Sequence, residues 1–322
     1  MKILEQKDYQ EIRTWIHRNA RPLELALWNY CYEKGSKEAV ADALGYYQNE
    51  DGGFGNGVEP DCWNKESSPY ATMIAMGLLR RISFVETVGI DHPMIQGIFC
   101  YLESGVHSNE EGWIFSIPSN DAYPRAPWWT YNEAENKTQS MGITAGLCAF
   151  ILRYGDHESK VFKKAFAYAG KILQKASSVE EFGEMGAGGV CMLLDDIRER
   201  GLTSSFACEG LMGKMTVIVN RSIERNPEQW TLYTPRPSEF IRSPKSPLYK
   251  DNEDIVKTEL DYLIDTRNPD GVWNITWSWF DLGEEYPKEF AVSENWWMAS
   301  KAIDKVEFLK NFGRLSDGGQ QL

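Results

Sequence analysis

Long apolar runs are missing from this chain of 322 residues. No window approaches the ~18 consecutive apolar residues of a membrane-spanning helix, so no integral membrane segment is expected. The opening residues, Met1-Lys2-Ile3-Leu4-Glu5-Gln6-Lys7-Asp8, turn charged before the apolar core of a secretion signal forms, which points to the cytoplasm. Positive charge is also scarce, with 34 Lys and Arg against 47 Asp and Glu, a net charge of −13. A diffuse acidic surface repels phosphate backbones and argues against nucleic acid as a partner. The six cysteines (Cys31, Cys62, Cys100, Cys148, Cys191 and Cys208) are scattered, and none forms a CxxC, so buried packing is their expected role. His17, His92, His107 and His157 sit singly, so neither a metal site nor a cofactor is expected.

Aromatic residues are plentiful instead, at 12 Trp, 15 Tyr and 14 Phe, enough to line a cavity as well as fill a core. The helical signals are strong, and nothing reads as a run of β-strands. Residues 70–81 and 139–153 are apolar around most of their circumference, as inner helices would be. Residues 39–48 carry apolar side chains at helical spacing, and 186–198 resemble the inner segments more loosely. Residues 159–175 and 254–266 are amphipathic and suit an outer ring. Ser67-Ser68-Pro69 places an N-cap and a Pro ahead of the helix at 70–81.

A short motif recurs between these helices. Asn49-Glu50-Asp51-Gly52-Gly53-Phe54 matches Asn268-Pro269-Asp270-Gly271-Val272-Trp273, and Asn109-Glu110-Glu111-Gly112-Trp113 is a weaker copy. Phe182-Gly183-Glu184 is a candidate degenerate repeat in the long gap. The motif predicts a helix-ending turn in which Gly takes a positive φ and the aromatic packs over the turn. Alternating inner and outer helices joined by such turns describe an all-α, double-layered helical barrel, an α/α toroid, spanning residues 1–322 as one domain. The Pro-rich stretch around 231–250 reads as a long loop at the barrel mouth.

Gln48-Asn49-Glu50-Asp51-Gly52-Gly53-Phe54-Gly55 resembles the Q-x-x-D-G-G-[WF] repeat of squalene–hopene cyclases, also met in protein prenyltransferase β-subunits. A fuller match runs from Asn19-Ala20-Arg21-Pro22-Leu23 to Val58-Glu59-Pro60-Asp61, with Pro127-Trp128-Trp129 as a second landmark. It is similar to a group of short bacterial proteins of that terpenoid cyclase and prenyltransferase superfamily. The likeness is sharp over residues 19–80. It implies the toroid and a small hydrophobic isoprenoid ligand. The D-x-D-D acid motif of class II cyclases is absent, Glu59-Pro60-Asp61 being the nearest match, and the prenyltransferase zinc ligands have no counterpart.

Glu59 and Asp61 are the candidate catalytic acids, because two close carboxylates repel and can hold a proton for donation to an alkene. Trp128, Trp129, Trp277, Trp279, Trp296 and Trp297 are the candidate substrate-binding residues, whose faces suit a carbocation or a sugar ring. Adjacent tryptophans on a helix cannot both face one cavity. Asp195-Asp196-Ile197-Arg198-Glu199, a lone DDxxD-like string, reads as a solvated helix face. The functional expectation is acid-initiated cyclisation or binding of an isoprenoid. The alternatives are a non-enzymatic scaffold toroid, and a carbohydrate-active barrel in which Asp281, Glu284, Glu285, Glu289 or Glu294 pairs with Glu59 or Asp61 over a saccharide.

Overall fold

The computed structural model describes residues 1–180 and 182–316, with backbone alone for 183–185. Helix makes up 63% of it and no strand occurs among the described residues, so the chain is all-α. In chain order the helices are α1 (Gln6–Asn19), α2 (Pro22–Tyr32), α3 (Lys37–Gly45), α4 (Pro69–Arg81), α5 (Phe84–Val88), α6 (Pro93–Ser104) and α7 (Glu133–Tyr154). They continue as α8 (Lys160–Ser178), α9 (Gly183–Glu199), α10 (Leu211–Ser222), α11 (Pro237–Phe240), α12 (Tyr249–Asp265), α13 (Asp281–Glu285) and α14 (Pro287–Asn311). Among the described residues no helix is long and apolar enough to cross a membrane.

The chain forms two compact units. One combines Met1–Ala43 with Asn220–Leu322, and the other is Leu44–Val219. In the second unit α7 packs against α4, α8 and α9, and its buried stretch runs almost unbroken from Gly142 to Leu152. That continuity explains why residues 139–153 read as apolar all round. The helix starts earlier, at Glu133, because the Asn132 side chain accepts the Ala134 and Glu135 N–H groups and caps a polar first turn. In the first unit α14 packs against α1, α2, α12 and α13.

The motif turns repeat their backbone hydrogen bonds. Asn49 N–H donates to the Gly53 carbonyl and Gly52 N–H to the Asn49 carbonyl, both at 2.9 Å. At the third copy Asn268 donates to Val272 at 2.6 Å and Gly271 to Asn268 at 2.9 Å. The glycine φ angles are +87° at Gly52, +151° at Gly112 and +90° at Gly271, all in the region L side chains avoid. The aromatic after each turn is buried, as Phe54, Trp113 and Trp273. In the second unit its backbone N–H bonds a buried threonine, Phe54 to Thr72 on α4 at 3.1 Å and Trp113 to Thr144 on α7 at 2.9 Å. The fourth candidate copy, at Gly183-Glu184, has side chains outside the described residues.

One expectation changes. Asp196 is not on a solvated face: it is fully buried and takes Arg80 from α4 at 2.7 Å and Arg153 from α7 at 3.0 Å. Its neighbour Asp195 stays partly exposed. The string is amphipathic at single-residue resolution, and the inward carboxylate survives burial because two guanidiniums meet it.

A Cβ on Gly52 would lie 2.1 Å from the Gly97 carbonyl oxygen on α6, whereas one on Gly77 of α4 would meet nothing within 4 Å. Gly52→Ala is therefore expected to destabilise the fold by about 2–4 kcal/mol. Gly77→Ala, in an open helical site, should be neutral or stabilise it by up to ~1 kcal/mol. Urea titration of both variants checks this, and equal midpoints would refute the close approach.

Candidate functional site

The Glu59-Pro60-Asp61 segment is fastened to the segment before Trp128. Trp63 N–H donates to the Pro124 carbonyl at 3.0 Å, and Ala126 N–H to the Asp61 carbonyl at 2.8 Å. This pairing, an isolated bridge between Cys62 and Arg125, brings Glu59 beside Trp129 across some 70 residues of chain. Both line a small cavity of about 10 Å³ together with Tyr70 and Phe115. The Trp129 ring stacks on Phe115 with centroids 4.9 Å apart and lies 4.3 Å from Tyr70. That volume is about one water. Trp128, by contrast, is 38% exposed, so one member of the pair turns in and the other out.

Both carboxylates are buried, and Glu59 Oε1 accepts the Asp61 N–H at 3.3 Å, bracing its own loop. Asn120 is the local hub: its Oδ1 accepts Asn64 Nδ2 at 2.8 Å and its Nδ2 donates to the Trp129 carbonyl at 2.9 Å. Burial pushes the neighbouring Cys62 thiol up to about 12, so it is a packing group and not a nucleophile.

The remaining candidate tryptophans, Trp277, Trp279, Trp296 and Trp297, lie in the other unit. Trp279 is fully buried, 5.6 Å from Phe290. Trp296 receives the Arg21 guanidinium over its ring at 4.7 Å, and Arg21 makes a two-point contact with buried Glu24 at 2.6 and 2.8 Å. Trp277 and Trp297 meet edge to face at 5.3 Å, with the Lys301 ammonium 5.9 and 5.5 Å from their ring centres. Of these, Trp277 faces a cavity.

That cavity holds about 330 Å³ and is assembled from four segments. The Pro-rich stretch, which contains α11, supplies Arg236, Ser238, Glu239 and Arg242. α12 supplies Glu259, and the connector after the third motif turn supplies Asn274 and Trp277. α14 presents Lys301, Asp304, Lys305 and Phe308 at i, i+3, i+4 and i+7, one face of a helix. The tryptophan pattern of the sequence does not reveal these charged groups. The two lysines one turn apart on α14 and the basic residues of the Pro-rich stretch were the available signals.

The chemistry of the walls is set by burial. Glu259 is fully buried; Ser238 donates its N–H to Oε2 at 2.7 Å and its hydroxyl to Oε1 at 2.6 Å. Burial nevertheless pushes the Glu259 carboxyl up to about 7, against the pull of those bonds. Burial pushes the Lys305 ammonium down to about 7, and the positive charges of Arg236 and Lys301 add to the drop. Its Nζ stands 5.2 Å from the centre of the Trp273 ring, the aromatic of the third turn. Glu239 reaches solvent through the cavity, but the surrounding protein raises its carboxyl too. The cavity thus carries a carboxyl on α12 and an amine on α14 that both shift toward neutrality, the requirement for paired acid and base work. A saccharide site would likewise use such carboxyls beside Trp277, here from residues other than Glu59 and Asp61. Among the described residues no group of three or more His, Cys, Asp or Glu side chains is placed to hold a metal ion.

Lys305 is charged in the unfolded chain up to about pH 10.5 but only up to about pH 7 when folded. Below pH 7 the folded state bears the whole cost of the buried charge, and the cost fades as pH rises toward 10.5. Lys305→Met is therefore expected to stabilise the protein by on the order of 1–3 kcal/mol at pH 6, with the gain shrinking toward pH 10. Denaturant midpoints across that range measure it, and a gain independent of pH would contradict the assignment. Compared with protein-family models, curated proteins and solved structures, the chain matches none of them.

Proposed function

We propose that the cavity between the Pro-rich stretch, α12 and α14 binds a small anionic metabolite and supplies acid–base chemistry to it. The observation that supports this is the state of its cations. Among the described residues, Lys301 and Lys305 on the wall and Arg242 at the exposed rim have no carboxylate within ion-pair distance. Acidic partners are abundant in a chain of net charge −13, and Glu239, Glu259 and Asp304 act on these cations only from beyond that distance, so three such cations around one opening favour an anion from solution. Asp304 and Glu307 also border the cavity, which limits the net attraction and favours a ligand of one or two charges.

Inorganic phosphate and citrate serve as first probes. Each is expected to raise the melting temperature, with affinity falling as salt rises. Lys301→Met combined with Arg242→Ala should weaken binding at least tenfold, equivalent to about 1.4 kcal/mol. If neither probe stabilises the protein, the anion reading fails.

A second reading has its own support. Glu59 shares its cavity with the faces of Tyr70, Phe115 and Trp129, and an acid among aromatic rings is what alkene protonation and cation stabilisation require. On this reading the repeated turns belong to an α/α toroid of terpenoid cyclase type and an isoprenoid displaces the local packing. Native mass spectrometry of the purified protein tests it. A co-purifying isoprenoid that disappears in Glu59→Gln supports the cyclase-type reading, and protein free of lipid counts against it.

A further inference from the structure

We infer that Lys305 is a nucleophile that forms an imine with a small carbonyl-bearing carboxylate, a 2-oxo acid in chemical class, inside the 330 Å³ cavity. The inference rests on the anion-binding reading and names the ligand's second functional group. Three features of the geometry carry it. The Lys305 side chain opens onto a partly open cavity large enough for a metabolite and makes no ion pair with a carboxylate among the described residues, Glu259 and Asp304 acting on it from farther away. Lys301, one turn away, and Arg236, from the Pro-rich stretch, place positive charge beside it, the setting that keeps an amine neutral and reactive. Glu259 and Glu239 bring protonatable carboxyls to the same walls, while Arg242 and Lys301 are left to meet the ligand carboxylate.

In the first step the lone pair of neutral Lys305 Nζ forms a bond to the carbonyl carbon. The carbonyl π pair moves to oxygen, and that oxygen is protonated as nitrogen releases a proton. A carboxyl of the Glu259 and Glu239 pair then protonates the resulting hydroxyl, which leaves as water while nitrogen completes the C=N bond. One amine, one carbonyl and one proton thus become one iminium and one water, with no oxidant or reductant. Every charged group on the walls has a place in this scheme or opposes it. Glu259 on α12 and Asp304 on α14 favour the ammonium form, and Arg236 and Lys301 disfavour it, while Glu239, Arg242 and Glu307 also border the cavity.

The experiment is trapping with pyruvate and sodium cyanoborohydride on the full chain, read by peptide mass spectrometry. The expected result is one adduct per chain, located at Lys305, which forms faster at pH 8 than at pH 6. It should be suppressed at least tenfold by excess phosphate and lost in Lys305→Arg. Reduction scattered over surface lysines, or labelling that phosphate does not suppress, overturns the inference without requiring any variant to fold. Melting-temperature shifts by pyruvate and phosphate run alongside. Binding of both with no adduct at Lys305 refutes the imine and leaves the anion reading standing. Binding of neither refutes both.

Discussion

The constraint on which the structure depends is the tight turn that follows a helix and must bury the next aromatic at once. A backbone that reverses this sharply exposes N–H groups that cannot go unpaired inside a core. The solution repeats: Asn closes the turn on itself, Gly takes the positive φ, and the aromatic is delivered inward. In one unit the remaining N–H is met by a threonine on a buried helix, which ties turn to helix by a single hydroxyl. In the other, the same turn sets Trp273, whose indole donates to the Leu263 carbonyl at 2.8 Å and whose face meets Lys305. A structural repeat thereby fixes one side of a reactive lysine.

The treatment of buried charge separates scaffold from site. Arg21 meets Glu24, Asp196 meets two arginines, and buried Arg314 meets Asp261 at 2.5 Å. Removing one partner of such a pair leaves an uncompensated charge, so the Asp196 and Asp261 pairs tie separate elements together while Arg21–Glu24 fixes the start of α2. Around the 330 Å³ cavity the rule is relaxed, and the Glu259 and Glu239 carboxyls and the Lys305 amine are displaced from their ordinary ranges in place of being neutralised. Perturbed groups lining a polar opening are what a site of chemistry looks like.

What could be read from the sequence was local. The capping serine at position 68, the apolar helix at 70–81 and the glycine turns depend on residues within one turn of each other, and they lie where pattern and propensity place them. Helix ends moved where a side chain acted at a distance. α3 stops at Gly45 because the Gln48 amide turns away to the Gly52 and Met94 carbonyls. The cavity was hidden for the same reason on a larger scale. Lys305 in sequence is one more lysine on a charged helix, and only the approach of α12 and the Pro-rich stretch makes its environment unusual. Of each tryptophan pair the sequence could say that at most one member lines a given cavity, and at the first pair the fold turns Trp129 inward and Trp128 outward.

The contact between Gly52 and Gly97 has a consequence for how this chain can diverge. Gly97 has its own limit, since a Cβ there would lie 2.8 Å from Gln48 Nε2 and 3.1 Å from the Gly52 Cα. Gly52 is thus closed to change by the Gly97 backbone, which no repacking of side chains relieves, while at Gly97 the nearest obstacle is the end of the Gln48 side chain. A lineage that lost Gly52 would have to move α6 outward as a whole, trading the turn for a looser connection before any new side chain could settle there.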